Sequence, residues 1–322
     1  MGGLQTFLDT MWSYSPQAIS SIARMLPTTK IGAILRYQSS FIRPGIPFRC
    51  WWARQPLPGN LGDLLTPLLI DRLFGLVPVY CPKRSFLGAG SVIQKSRPES
   101  VVWGSGLIAP DREDHPKTRY LAVRGPLTRS ILTKRGREVP PIYGDPAILM
   151  PLIYQPKSRV SHAVGIIPHY SQISNFREVP KDATLIDVRV GTVDEIFDRI
   201  EQIASCEIIA SFSLHGLILA ISYERQFVWL RDRKTDLTGG TFKFEDFFAS
   251  LGMDVTPIEI SSDSLVVRNL ESHAKSAVIP SALRDGLITA FCAWYSNCMG
   301  VGHELPPIPN YRRHSLARCV LQ

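Results

Sequence analysis

The sequence predicts an α/β fold built on doubly wound parallel sheets. Short apolar runs with the β-branched character of buried strands alternate with segments whose apolar residues recur at helical spacing. Turns rich in glycine and proline separate these runs, and polar side chains collect where a strand gives way to a helix. Strands that alternate with helices in this order form a parallel sheet. A chain of 322 residues is long enough for two such domains.

The composition is that of an ordinary globular protein, with 45% hydrophobic and 20% charged residues. The net charge of +8 favours an anionic partner, which is a membrane surface, a small anionic substrate or a nucleic acid. Nucleic acid is the least favoured, because the basic residues form no long run and do not alternate with aromatic residues. The 6 cysteines lie far apart without a C-x-x-C pair, so neither a zinc site nor a disulfide framework is predicted. Reduced thiols in a cytoplasmic protein are the simplest interpretation.

The first 46 residues form a predicted leader region with a helix. Residues 1–27 are apolar with few charges, but no run is as long as a membrane span and the signal-peptide pattern is missing. The helix either packs on its own domain, which we favour, or lies on the inner face of the plasma membrane.

The first α/β domain is predicted for residues 47–155. Its first strand, 47–52, leads through a proline- and glycine-rich turn to Asn60-Leu61-Gly62-Asp63, which opens a leucine-rich helix. Asp63 is in the position of a helix N-cap, whereas Gly62 indicates backbone close to a ligand or an unusual φ. Asn60, Gly62 and Asp63 are therefore candidate binding residues.

Later strands of this domain end in two further candidate sites. The strand at 101–103 runs into a loop of small residues that contains Ser105, a weak indication of phosphate or sugar binding. The strand at 120–123 meets Arg124, and Pro126 suits the first turn of the next helix. Arg124 thus stands at the carboxyl end of a strand, where α/β proteins bind ligands. A surface arginine without a role is the alternative.

The second α/β domain is predicted for residues 156–260, after a polar linker bracketed by prolines. Strands are expected at 163–168, with His169 at the exit, and at 184–188, 207–210 and 227–230. A capping box at 192–195 begins the intervening helix. Residues 261–322 supply a long helix at 282–298, expected to fold back across a cleft, and a basic tail.

The turn at residues 211–216 carries the most informative pattern. The apolar strand before it has period 2, and the segment after it has the period of a helix. Ser213 and His215 are therefore expected at a strand's carboxyl end and a helix N-terminus, a position that favours an anion. A lone histidine is more often structural than catalytic, but this position is rarely needed for a core, which favours function.

Seven different short motifs follow one another in a distinctive order between residues 51 and 250. They are Asn60-x-Gly62-Asp63, Trp103-Gly104-Ser105-Gly106, Arg124-Gly125-Pro126-x-Thr128, Tyr143-Gly144-Asp145-Pro146, Ile167-Pro168-His169-Tyr170, Ser213-Leu214-His215-Gly216 and Lys243-Phe244. Their order and content resemble the polysaccharide pyruvyl transferase family, bacterial enzymes of exopolysaccharide and cell-wall polymer synthesis.

The resemblance implies two Rossmann-like doubly wound domains that face each other across a cleft, a GT-B-like fold. It also implies transfer of pyruvate from phosphoenolpyruvate onto two hydroxyls of one sugar, as a cyclic ketal, with a lipid-linked oligosaccharide or polysaccharide as acceptor. No metal or other cofactor is expected. Such a donor anion suits arginine forks and helix N-termini, and histidine suits the proton transfers.

The resemblance also assigns roles to individual residues. Arg124 and His215 match the family's catalytic arginine and histidine. Some members carry a second arginine where this chain has Ser213, so Arg129, Lys243 and Arg231 are candidates for the second cationic contact. The predicted substrate-binding residues are Asn60, Gly62, Asp63, Ser105, Arg129, His169, Ser213 and Lys243.

Two other functions remain open at the level of sequence. A GT-B glycosyltransferase that uses a nucleotide sugar has the same fold, and Glu224 is in the region where an acidic residue would hold the ribose. A non-catalytic subunit of polymer assembly is less favoured, since Arg124 and His215 are both present.

Overall fold

The computed structural model describes residues 37–41, 43–53, 58–83, 85–171, 173, 176, 183–233, 239–260, 270–299 and 305–308. The apolar leader segment at 1–27 and the basic tail with Arg312, Arg313 and Arg318 lie outside the described residues, as does Cys319. Within the described ranges, no helix is long and apolar enough to cross a bilayer.

The first sheet has five parallel strands in the order β2-β1-β3-β4-β5. Its helices include α1, Leu65–Phe74, and α2, Pro126–Lys134. The strands are β1, Pro47–Cys50; β2, Val77–Tyr80; β3, Phe86–Leu87; β4, Val101–Trp103; and β5, Arg119–Ala122.

The second sheet also has five parallel strands, in the order β10-β9-β8-β6-β7. A short helix α3, Met150–Ile153, precedes it, and α4, Val193–Ala204, α5, Leu214–Ser222, and α6, Phe242–Ser250, follow its strands. The strands are β6, His162–Ile167; β7, Ala183–Leu185; β8, Cys206–Ser211; β9, Gln226–Asp232; and β10, Ile258–Ile260.

Both sheets have the same topology. Counted from its own first strand, each has the doubly wound order 2-1-3-4-5, which reverses between its first and third strands. The reversal lies between β1 and β3 in the first sheet and between β6 and β8 in the second. The predicted α/β class with two Rossmann-like parallel sheets is confirmed.

Two predicted strands are shorter than expected. The strand predicted at 47–52 ends at Cys50, and the strand predicted at 184–188 ends early because the chain after it pairs with the other half of the molecule. The prediction of 184–188 becomes β7, which ends at Leu185. The chain then turns to the loop before α1, where Leu61 N donates to Val188 O at 2.8 Å and Val190 N donates to Gly59 O at 3.2 Å. These bonds tie the second half to the loop that carries Asn60.

The last described helix, α7, Ser281–Met299, packs against the first sheet, as expected for a helix that folds back. Trp103 Nε1 donates to Leu287 O at 2.8 Å, and Phe291 stacks on Phe74 with ring centroids 3.8 Å apart. Phe291 is fully buried. Because aromatic side chains of this size bury large apolar areas, α7 is an integral part of the first core.

Candidate active site

A cavity of about 380 Å³ lies where the carboxyl ends of the two sheets meet. Residues that follow β1 and β3 line it from one side, and residues that follow β6 and β8 line it from the other. These are the strands between which each sheet order reverses, and α/β proteins bind ligands at such a switch point. The lining side chains are Trp51, Ala53, Asn60, Asp63, Ser91, Val92, Lys95, Ile108, His169, Tyr170, Ser213, Leu214, His215 and Lys243.

The cavity unites six of the predicted site residues and leaves four outside its lining. Those in the lining are Asn60, Asp63, His169, Ser213, His215 and Lys243. Those outside it are Gly62, Ser105, Arg124 and Arg129.

His215 lies in the first turn of α5, with its side chain 12% exposed. Its Nε2 is buried without a hydrogen-bond partner and lies 3.7 Å from Oδ2 of Asp145. A Cβ on Gly62 would lie 1.9 Å from Nδ1 of His215, so only glycine leaves room for the imidazole. The requirement for glycine at position 62 is therefore explained by the imidazole of His215. The sequence had indicated a ligand or an unusual φ there.

Asp145 is a site residue to which the sequence analysis assigned no role. Its side chain is fully buried and accepts hydrogen bonds from Gly90 N and Ala147 N, both at 3.0 Å. Burial raises the pKa of Asp145, but His215 and these two N–H groups outweigh burial and bring the pKa below its usual value. The carboxylate is thus ionised beneath His215. The sequence signal for Asp145 is the motif Tyr143-Gly144-Asp145-Pro146. In the structure Tyr143 pairs with Val123, which directly precedes Arg124.

Asp63 has the opposite electrostatic environment. Burial raises its pKa, Asp145 raises it further, and His215 and Lys243 oppose these effects without cancelling them. Asp63 does not cap α1, whose N-cap is Leu64 without a side-chain hydrogen bond. The site therefore holds one carboxyl group biased toward the protonated form and another biased toward the ionised form.

Lys243 and His169 add a titrating cation and a neutral imidazole. Lys243, near the start of α6, has a pKa lowered to about 8, chiefly by burial and then by Arg124, against the effect of Asp63. The pKa of His169 is lowered to about 4 by burial and by Lys243. His169 Nδ1 lies 2.8 Å from Oγ of Ser171. Near neutral pH Lys243 therefore presents an ammonium group to the cavity, and His169 presents an uncharged imidazole.

Arg124 is fully buried and reaches the cavity only through a neighbouring hydroxyl. Its Nε pairs with Oδ2 of Asp246 at 3.1 Å, and its Nη2 donates to Leu107 O at 2.8 Å. Its Nη1 donates to Oγ of Ser91, which lines the cavity. A Cβ on Gly106 would lie 2.3 Å from Cζ of Arg124, so this glycine makes room for the guanidinium. Arg124 is therefore not itself part of the cavity lining, and its catalytic role stays a prediction.

Asp246, which the sequence analysis did not select, joins α6 to the first half of the chain. It is fully buried, and besides Arg124 it accepts from Thr128 N at 2.8 Å and from Thr128 Oγ1 at 2.7 Å. A signal existed in the sequence, since Asp246 stands among phenylalanines, and a carboxylate in an apolar stretch needs a partner.

The remaining predicted residues have other partners. Ser105 Oγ donates to Gly90 O at 2.8 Å and accepts from Val92 N at 3.1 Å, which shapes the loop beside the cavity. Arg129 Nε donates to Val139 O at 3.0 Å, and Arg231 lies 3.5 Å from Glu259. Of the three candidates for the second cationic contact, Lys243 is therefore the one that lines the cavity.

The fold and the cavity define an α/β protein with a polar ligand site between two parallel sheets. Comparison with known proteins then specifies the family it resembles. Residues 114–232 match the family model of polysaccharide pyruvyl transferase, which confirms the resemblance drawn from the motifs. The matched region contains Arg124, Asp145 and His215.

Two curated proteins are similar over most of the chain. The uncharacterized protein L143 of Acanthamoeba polyphaga mimivirus is 28% identical over 207 residues, which cover 61% of this chain and 72% of that protein. The succinoglycan biosynthesis protein ExoV of Rhizobium meliloti (strain 1021) is 29% identical over 219 residues, which cover 64% of this chain and 66% of ExoV.

The buried ion pair of Arg124 and Asp246 generates a stability prediction. We expect Asp246→Asn to lower the free energy of unfolding by about 3–5 kcal/mol, because it leaves the buried guanidinium without a countercharge. Urea denaturation followed by tryptophan fluorescence measures the change. Glu259→Gln, in the exposed ion pair with Arg231, is the control and should cost about 0–1 kcal/mol. Equal effects of the two substitutions would contradict the assignment.

Proposed function

We propose that this chain transfers pyruvate from phosphoenolpyruvate onto two hydroxyls of one sugar, forming a cyclic ketal on an exopolysaccharide or cell-wall oligosaccharide. The family match and the similarity to a succinoglycan biosynthesis protein support pyruvyl transfer to a polysaccharide. The observation that carries the finer proposal is the cavity itself, which combines Lys243, the N-terminus of α5 and His215. A GT-B-like arrangement of the two halves is part of the same proposal.

The donor is a small anion, and two features of the cavity suit it. Lys243 provides an ammonium group on one side. Ser213 is the N-cap of α5 but its side chain does not cap the helix, so the N–H groups of the first turn remain for an anion. Ser213, Leu214 and His215 all line the cavity at this helix end. We place the phosphate and carboxylate of phosphoenolpyruvate between Lys243 and α5.

The chemistry requires a proton donor and a proton acceptor. The methylene carbon of phosphoenolpyruvate takes up one proton, and the neighbouring carbon is attacked by the first sugar hydroxyl. The second hydroxyl then attacks the same carbon and phosphate leaves. Two hydroxyl protons are released in total, of which one balances the proton given to the methyl group and the other leaves with phosphate.

Asp63 and His215 fit these two roles. Asp63, with its raised pKa, is suited to donate a proton, and an imidazole is suited to accept one near neutral pH. The two side chains are neighbours, since a Cβ on Gly90 would lie 3.3 Å from Oδ1 of Asp63 and 3.7 Å from Cε1 of His215. We therefore assign Asp63 as the acid and His215 as the base.

The position of Glu224 removes the sequence observation that favoured a glycosyltransferase using a nucleotide sugar. Glu224 follows the C-terminal end of α5, whereas the N-terminal end of α5 lines the cavity. At about 1.5 Å per residue, the helix separates the two ends by roughly 13 Å. Glu224 therefore lies beyond the end of α5 that is far from the cavity, too distant to hold a ribose there.

Product analysis tests the proposal directly. The purified protein is incubated with phosphoenolpyruvate and a lipid-linked oligosaccharide, and released phosphate and product mass are measured. We expect phosphate release that depends on the acceptor, with a mass gain of one pyruvic acid minus one water. A gain of one hexose from a nucleotide sugar, or no change of mass with any acceptor fraction of the producing organism, would contradict the proposal.

The role of His215 leads to a kinetic prediction. We expect His215→Ala to lower turnover by about 100-fold or more, because it removes the base. His273→Ala is the control, since His273 is exposed and does not line this cavity. A folded His215→Ala variant with turnover close to that of the control would exclude the assigned role.

The pKa of Lys243 leads to a prediction for donor binding. Lys243 is an ammonium below pH about 8 and an uncharged amine above it. Because the donor stays anionic, its affinity should fall by roughly 10-fold as pH rises through this range. Calorimetric titration with phosphoenolpyruvate at several pH values measures this. Lys243→Met should bind weakly without this pH step, and the exposed Lys275→Met should keep it. An unchanged pH step in Lys243→Met would contradict the prediction.

We also propose that a lipid-linked acceptor brings the protein to the inner face of the plasma membrane. The net charge of +8 supports reversible docking on anionic lipid, and the apolar segment at 1–27 adds to it only in the alternative in which that segment lies on the membrane instead of packing on its own domain. Each basic residue near such a surface contributes about 1 kcal/mol, and salt weakens the attraction. In flotation with anionic vesicles, the bound fraction should fall as ionic strength rises and on deletion of 1–27. Protein that stays at the bottom of the gradient in low salt would refute docking.

A further inference from the structure

Asp145 lies against His215 but has no role yet in the proposed reaction. Asp145 does not line the cavity, so it cannot touch a substrate there. It lies directly beneath a residue that does, with 3.7 Å between its Oδ2 and Nε2 of His215. We infer that Asp145 is a positioning residue that holds the hydrogen on Nε2 of His215 and so makes Nδ1 the nitrogen that exchanges protons with the substrate.

Nε2 of His215 and the carboxylate of Asp145 are both buried. Nε2 of His215 is shielded from solvent and has no hydrogen-bond partner at its present distance. Oδ2 of Asp145 accepts from Gly90 N at 3.0 Å, and a carboxylate oxygen has a further lone pair to offer. A small shift of the imidazole toward Asp145 therefore satisfies a buried polar atom that is otherwise unpaired.

The ionised state of the Asp145 carboxylate determines which ring nitrogen of His215 carries the hydrogen. An ionised carboxylate only accepts hydrogen bonds, so a ring nitrogen that approaches it must carry a hydrogen. A neutral imidazole has one N–H, and Nδ1 is then left with its lone pair. The two backbone N–H groups on Asp145, from Gly90 and Ala147, favour its ionised form.

Close packing against Gly62 restrains the plane of the His215 ring. A Cβ on Gly62 would lie 1.9 Å from Nδ1, 2.1 Å from Cγ and 2.4 Å from Cε1, so the backbone of Gly62 lies close against one face of the imidazole. Gly62 thus restrains the ring from its face while Asp145 lies at its Nε2 edge. A ring held in this way keeps Nε2 toward the carboxylate.

Asp145 also stabilises the charged form of His215 during the reaction, an inference that rests on the proposed function. When Nδ1 accepts the proton of a sugar hydroxyl, the imidazole becomes a cation 3.7 Å from a buried carboxylate. The carboxylate stabilises that cation by charge attraction, and no proton needs to pass to Asp145. His215 is therefore a base in the step in which the sugar attacks.

Nuclear magnetic resonance of the full chain tests the placement without any substrate. Multiple-bond ¹H–¹⁵N spectra of the ¹⁵N-histidine-labelled protein in alkaline buffer report which ring nitrogen carries the hydrogen, and His215→Gln assigns the signal. We expect the Nε2–H tautomer for His215. An Nδ1–H tautomer would overturn the inference. The measurement is independent of the proposed function, and a protein that shows the expected tautomer but transfers no pyruvate contradicts the proposed function alone.

Kinetics of Asp145→Asn then tests the effect on the reaction. The substitution keeps the shape of the side chain and removes its charge. We expect kcat to fall by about 10- to 100-fold, with the KM for phosphoenolpyruvate changed by less than about twofold. Asp114→Asn is the matched control, because Asp114 is buried and paired with Arg137 but does not line the cavity. A loss of kcat no larger than in Asp114→Asn at equal thermal stability would overturn the inference. If Asp145→Asn fails to fold, the tautomer of the wild-type protein decides.

Discussion

The buried ion pair between Arg124 and Asp246 is the interaction on which the site depends. Neither side chain has any exposed surface, and charges removed from water are tolerated only when they are paired and hydrogen-bonded. The pair holds α6, which lies between β9 and β10 of the second sheet in sequence, against α2 of the first half. Lys243 is carried into the cavity by the same helix, and Ser91 is held at the cavity wall by the same guanidinium. A buried electrostatic constraint thus brings together side chains from both halves of the chain.

Two carboxyl groups in different surroundings give the cavity its chemical asymmetry. Asp145 lies beneath the surface with two backbone N–H groups and His215 around it, so its pKa is below the usual range. Asp63 lies in the cavity wall, where burial is the largest influence and raises its pKa. Groups whose environments move their pKa values apart are suited to opposite roles in proton transfer. The proposed division between Asp63 as acid and His215 as base, with Asp145 behind His215, follows from this asymmetry.

The sequence predicted the parts of the site that depend on local pattern. The change of period at residues 211–216 placed Ser213 and His215 at a strand end, and the same rule placed Asn60 and His169; all four line the cavity. It did not predict the burial of Arg124, because the partner, Asp246, is 122 residues away and no local pattern indicates which carboxylate it meets. The reason for Gly62 was equally hidden, since its close contact is a side chain from the other half of the chain.

The most direct test of this account is the crystal structure of the protein with phosphoenolpyruvate. We expect density for the donor in the cavity between the two sheets, with an anionic group within hydrogen-bond distance of Lys243 Nζ and of the first N–H groups of α5. Its methylene carbon should face Asp63 and His215. Phosphoenolpyruvate bound outside this cavity, or bound within it on the side away from Lys243 and α5, would contradict the account.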